Sequence, residues 1–200
     1  MTDQTVAVVL GLAVIAVVAV MLWRMITTRT SGSWNISVAK LFESKLKIGP
    51  DQQRDVEQTI SEANQARGLP ADAPTAPALP STIRLRRILW VDDNPDNNLY
   101  ETLALEMLGL AITKTTNSQA ADVYLAAQAY ALVITDLGRP NDTLAGLDFV
   151  RALTKKYSRL KVIIYTLRAT DTADQGRQAG ASAIVDTPHD LLEAVLAATA

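Results

Sequence analysis

Two apolar runs stop abruptly on acids. Ile88-Leu89-Trp90-Val91 ends at Asp92-Asp93, and Ala131-Leu132-Val133-Ile134-Thr135 ends at Asp136. Short runs of bulky and β-branched residues bounded by charge suit strands buried on both faces, as in parallel sheets. Ligands of open α/β sheets gather outside the carboxyl ends of the strands. Two neighbouring parallel strands would therefore bring Asp92, Asp93 and Asp136 to one rim. Three carboxylates with overlapping fields repel unless a cation or shared protons offset them, and a hard, oxygen-liganded ion such as Mg²⁺ is the usual answer. The chain has no cysteine and one histidine, His189, so thiolate zinc sites and disulfides are excluded and a Ser/His/Asp hydrolytic setting has no support. His189 opens the last predicted helix and reads as a surface residue.

The elements that must position these acids alternate in type. Strand 88–91 leads to a helix over 95–108, with Leu99, Leu103 and Met107 on one face and Gly109 near its end. Strand 111–115 leads to a helix over 118–128 capped by Asn117 or Ser118. Strand 131–135 is followed by a loop to Gly146, a helix over 147–156, a strand over 161–166, a helix over 171–179, a strand over 183–185 and a helix over 189–198. This alternation predicts an α/β fold: a five-stranded parallel sheet with helices on both faces.

The ordered series Asp92-Asp93, Asp136, Thr166 after Val162-Ile163-Ile164-Tyr165, and Thr187-Pro188 resembles the CheY-like receiver domain of two-component response regulators, over about residues 86–200. The resemblance implies a flavodoxin-like strand order 2-1-3-4-5 and a phosphoryl group accepted by Asp136 from a histidine kinase. It implies Mg²⁺ held by Asp93, Asp136 and the Gly138 carbonyl, with Asp92 acting mainly through water. Thr166 would be the switch hydroxyl that hydrogen-bonds the phosphorylated product; its plainer reading is a strand-end threonine satisfied by backbone. Such a protein is a signal-transduction phosphoacceptor more than an enzyme.

The sequence departs from the family at three places. Thr187 stands where the family has a lysine, which removes a charge-assisted contact of roughly 1.5 to 3 kcal/mol. Ile184 replaces the switch aromatic, and two extra residues separate Pro140 from Gly146. Arg139 and Arg168 follow strand ends that point toward the pocket, and either one neutralises the acids or both are solvated loop residues.

The amino terminus suggests a membrane anchor. After a short tail, 1–5, the stretch 6–26 is interrupted only by Arg24 and at about 1.5 Å per residue reaches roughly 30 Å. Arg24, Arg29, Lys40, Lys45 and Lys47 follow it and none precedes it, so the positive-inside rule predicts a single-pass inner-membrane protein with a cytoplasmic receiver. Ala7 and Gly11 have the small-residue spacing that lets two helices approach as a homodimer, beside the plainer reading of lipid-facing small residues.

Residues 27–68 form a juxtamembrane segment. Over 27–49 the pattern fits an amphipathic helix against lipid headgroups or a short hairpin equally well; Pro50–Arg67 reads as a helix stopped by Gly68, with a Val56, Ile60, Ala63 stripe. Pro70, Pro74, Pro77 and Pro80 make 69–85 a Pro/Ala-rich linker before the receiver-like domain, 86–200.

The formal net charge of -2 gives no strongly basic face and argues against a nucleic-acid partner. Three functions compete. The first is a membrane-tethered phosphoacceptor served by a histidine kinase or membrane protein partner. The second is a non-switching pseudo-receiver that keeps the fold as an interaction module. The third, a nucleotide-directed enzyme, has no Gly-rich phosphate loop or P-loop lysine behind it.

Overall fold

The structure, a computed structural model, describes residues 45–138 and 144–200. The expected anchor over 6–26, residues 27–44, Arg139 and Pro140 lie outside the described residues. Among the described residues no helix is long and apolar enough to cross a membrane.

Two sheets are present among them. Strands β1 (Lys45–Lys47) and β2 (Thr82–Arg84) pair antiparallel, with Leu46 opposite Ile83, and helix α1 (Pro50–Ala66) lies between them in sequence. The larger sheet is parallel and contains β3 (Arg87–Val91), β4 (Ala111–Thr115), β5 (Leu132–Thr135), β6 (Lys161–Tyr165) and β7 (Ala183–Val185). Its spatial order is β4-β3-β5-β6-β7, the expected 2-1-3-4-5 arrangement. Helices α2 (Leu99–Met107), α3 (Ser118–Ala127), α4 (Ala145–Lys156), α5 (Ala169–Ala179) and α6 (Pro188–Thr199) connect the strands. A 3₁₀ turn over Pro95–Asn98 precedes α2.

Side chains alternate across a strand, so the central strands feed two cores. Ile88, Trp90, Ile134, Ile163 and Tyr165 pack on one side with Leu105 of α2 and Leu191 and Val195 of α6. Leu89, Val91, Val133, Val162 and Ile164 face the other side, with Ala121 of α3 and Phe149, Val150 and Leu153 of α4.

The segment preceding the receiver joins the first core. The α1 stripe of Val56 and Ile60 belongs to the same apolar cluster as Leu105, Trp90 and Tyr165, together with Ile83 of β2. Residues 69–85 run along this layer: Asn64 Nδ2 donates to the Pro74 carbonyl at 3.0 Å, and Ala76 and Leu79 pack against the cluster.

This layer also explains a correction. Leu99 and Leu103, expected on the buried face of α2, are 61% and 41% exposed. Glu101, Ala104, Leu105 and Leu108 form a buried i, i+3, i+4, i+7 stripe, with Thr102 buried beside it. An acid in the first of those positions hid the pattern from a count of apolar residues. Because α1 and the sheet both pack on α2, its stripe is fixed by two neighbours.

Ile60 is fully buried between α1 and the receiver core. Ile60→Ala should therefore lower the stability of the whole unit by about 2–5 kcal/mol, read as a shift of a single urea transition followed by tryptophan fluorescence. A main transition left unmoved would mean that α1 is not part of this core.

Candidate metal centre

Asp92, Asp136 and Thr166 each sit one residue beyond a strand that is still laddered to its neighbour, and Asp93 follows Asp92. The Asp92 amide donates to the Thr115 carbonyl at 3.0 Å, the Asp136 amide to Val91 at 3.1 Å, and the Thr166 amide to Val185 at 2.9 Å. Three successive strand ends are thereby locked at one level. One carboxylate oxygen each from Asp92, Asp93 and Asp136 lie within 4.8 Å of one another. Oxygen donors at that separation suit a hard divalent cation, whereas soft metals would call for the thiolates this chain lacks.

The three acids differ in freedom. Asp92 is buried, and both its oxygens are engaged: Oδ1 accepts from the Asn94 amide at 2.8 Å and Oδ2 from Asn98 Nδ2 at 2.7 Å. Asp93 is more accessible than Asp92. Asp136 accepts the Leu137 amide on Oδ1 at 2.5 Å, which fixes the plane of its carboxylate.

Backbone crowding explains Gly146. A Cβ there would lie 2.3 Å from the Asp136 carbonyl oxygen and 2.8 Å from Leu137 Cα, so only glycine lets α4 begin this close to the strand end.

A cavity of about 700 Å³ opens above the acids, lined also by Gly138, Thr166 and Arg168. Thr166 is buried, and its hydroxyl accepts a long 3.5 Å contact from the Arg168 amide. Arg168 is exposed at the start of α5.

Thr187, in the lysine's place, does not line the cavity. It caps α6, its Oγ1 accepting from the Asp190 amide at 3.1 Å and donating to Asp190 Oδ2 at 2.7 Å. Ile184 packs into the second core, where a Cβ on Gly176 would come within 2.6 Å of it.

His189 is half-buried and contacts the Thr75 carbonyl of the 69–85 stretch through Nδ1. With Asp190 and Glu193 it forms a second group of ligand-type atoms within 4.8 Å, but Asp190 and His189 already have these partners.

Sequence reasoning missed the residues beneath the acids. Arg67, just past α1, donates from Nε to Glu101 Oε1 at 2.7 Å and from Nη2 to Asn98 Oδ1 at 2.8 Å. Its guanidinium carbon lies 4.2 Å from the centroid of the Tyr165 ring, and the Tyr165 hydroxyl donates to the same Glu101 oxygen at 2.7 Å. Glu101 is 2% exposed, so its charge is tolerable only with these donors. The detectable signal was an acid in the core stripe of α2, which demands a cation from elsewhere.

A second cation lies on the other flank. Lys114 Nζ donates to the Pro95 carbonyl at 2.9 Å and sits 5.9 Å from the Trp90 ring centroid. Burial pulls its pKa below the usual lysine value, against the opposing pull of Asp92 and Asp96.

Comparison with known proteins agrees with this geometry. The family model of the response regulator receiver domain matches residues 88–198, more than half of the chain. The transcriptional regulatory protein TctD of Salmonella typhimurium is 31% identical over 109 residues, covering 54% of this chain and 47% of that protein. The chain thus spans about half the length of the curated relatives it matches.

Among solved structures, the receiver domain of the Francisella response regulator 1452 is 20% identical with a TM-score of 0.50, covering 57% of this chain and 96% of that one. The chemotaxis response regulator CheY4 of Vibrio cholerae is 19% identical with a TM-score of 0.50, covering 57% and 98%. At these identities the likeness is one of fold. The chain belongs to the response regulator receiver domain family and carries a receiver domain of the two-component type.

The Tyr165 phenol gives a spectroscopic check on the buried network. Burial first, and the Glu101 charge second, hold its pKa well above the ordinary 10.0, against the opposing pull of Arg67. Above pH 10 the unfolded chain releases this proton while the folded chain keeps it, so stability should fall as pH rises past 10. The tyrosinate absorbance of the folded wild type should therefore equal that of a folded Tyr165→Phe protein, and the two should differ by one tyrosine only after unfolding. A Tyr165 contribution in the folded state would contradict the network.

Proposed function

We propose that the chain is a membrane-tethered receiver that accepts a phosphoryl group on Asp136, with Mg²⁺ bound at the adjoining acids. The observation that carries the reading is the convergence of one oxygen each from Asp92, Asp93 and Asp136 within 4.8 Å, inside the stretch matched to the receiver family. Asp93, Asp136 and the Gly138 carbonyl would hold the ion directly, and Asp92, with both oxygens already bonded to protein, would act through water. When bound, Mg²⁺ supplies charge neutralisation for the donor and for the crowded carboxylates.

The protein's own share is positional. Leu137 orients the Asp136 carboxylate, whose oxygen forms a bond to the incoming phosphorus as the donor leaves with its electron pair, giving an acyl phosphate. The buried Thr166 hydroxyl, whose hydrogen bond among the described residues is a long one from the Arg168 amide, would turn toward that product. A histidine kinase is the natural donor. The apolar stretch over 6–26 and the positive charges after it support a single-pass anchor with the receiver on the cytoplasmic side. The same small-residue spacing leaves room for a homodimer.

A second reading has one specific observation in its favour. Thr187 is committed to capping α6 and brings no ammonium to the pocket, so the domain would keep the acid rim as an interaction module without switching.

Incubating the full chain, held in detergent, with acetyl phosphate and Mg²⁺ separates the two. The phosphoacceptor reading predicts an intact-mass gain of one phosphoryl group that requires Mg²⁺ and vanishes in Asp136→Asn. No gain in the wild type, with either acetyl phosphate or a cognate kinase, would favour the pseudo-receiver.

A further inference from the structure

The residues 45–84 that precede the family match form a layer on the receiver, and one of their side chains reaches the acid rim. We propose that Arg67 is a positioning residue of the acid pocket: it sets the orientation of Asn98, which sets Asp92, and so couples the docking of α1 to occupancy of the pocket. The proposal rests on the metal-binding reading above and extends it to a residue outside the matched region.

Hydrogen-bond directions carry the argument. An asparagine amide has an oxygen end that accepts and a nitrogen end that donates, and it can turn over to suit its partners. Arginine only donates. With Arg67 Nη2 on Asn98 Oδ1 at 2.8 Å, the nitrogen end of Asn98 must face Asp92 Oδ2, where it is found at 2.7 Å. Asn98 is 2% exposed, so water has little access to replace either bond.

Arg67 is itself fixed from three sides, by Glu101, by the face of Tyr165 and by its place one residue beyond α1. Its side chain is 15% exposed, and it lines the same cavity as Asp93 and Asp136. Tyr165 immediately precedes Thr166 on β6, so the network touches two of the strand ends that build the rim.

Two consequences follow from this geometry. The first is that one of the two hydrogen bonds that orient Asp92, the one from Asn98, depends on a residue of the preceding segment. The second is reciprocity: if α1 docking favours the ion-competent pocket, the bound ion must favour docked α1 by the same factor.

The test uses the full chain in detergent. Glu101→Gln removes the buried charge yet leaves the Arg67–Asn98 bond available. Arg67→Met combined with Glu101→Gln removes that bond without stranding a buried charge, which keeps the fold accessible. Mg²⁺ affinity by calorimetry should be near wild type in the single variant and about tenfold weaker in the double, the scale expected for loss of an outer-shell partner.

In the metal-free protein, the Asn98 side-chain amide resonances should move toward those of a free asparagine in the double variant only. Equal Mg²⁺ affinity in the two variants, or unmoved Asn98 resonances, would overturn the proposal. The wild type provides a check that needs no variant. Added Mg²⁺ should slow hydrogen exchange across Pro50–Ala66, and exchange there that ignores Mg²⁺ while 92–98 responds would also overturn it. If the wild type binds no Mg²⁺, the coupling proposal fails together with the metal-binding reading; unchanged affinity in the double variant of a protein that does bind Mg²⁺ defeats the coupling proposal by itself.

Discussion

Negative charge crowds the carboxyl edge of the sheet, and the packing around it is arranged to hold that charge. Parallel strands must end side by side, and here three of their terminal acids bring oxygens within 4.8 Å. Such an arrangement costs stability unless cations or donors offset it. The chain meets part of that cost from within, through the Asn94 amide and Asn98 on Asp92 and the Leu137 amide on Asp136. A divalent cation held there, as proposed above, would offset this crowding further.

A second acid lies directly beneath the rim. Glu101 is nearly inaccessible, and the donors that make it tolerable, Arg67 and Tyr165, come from the segment before the receiver and from the strand just before Thr166. Receiver and preceding segment are therefore joined by more than apolar packing. The apolar contribution of Val56, Ile60 and Ile83 holds the layer in place, and the polar contribution of Arg67 gives that layer a line of contact with the chemistry.

Much of this was legible in the sequence. The sheet could be read because its central strands are unbroken apolar runs, and because parallel strands separated by helices admit few topologies. Asp92, Asp93 and Asp136 followed from where those runs stop. The buried face of α2 was misread since Glu101 occupies a core position normally filled by an apolar residue. The family resemblance puts Thr187 in the lysine's position, but its hydroxyl serves the helix it begins. Arg67 lies 34 positions from Glu101 and 31 from Asn98, and no local periodicity announces a contact at that distance. The pairing of β1 with β2 was hidden likewise, because the two strands are short and separated by a helix and a proline-rich stretch.

Paramagnetic broadening by substoichiometric Mn²⁺, read in the amide spectrum of the full chain, decides whether Asp92, Asp93 and Asp136 together hold one divalent cation. Signals from 92–98, 136–138 and 166–168 should disappear first, and Mg²⁺ should restore them. Broadening centred instead on His189, Asp190 and Glu193, or spread evenly over the surface acids, would rule out a shared site at the three acids.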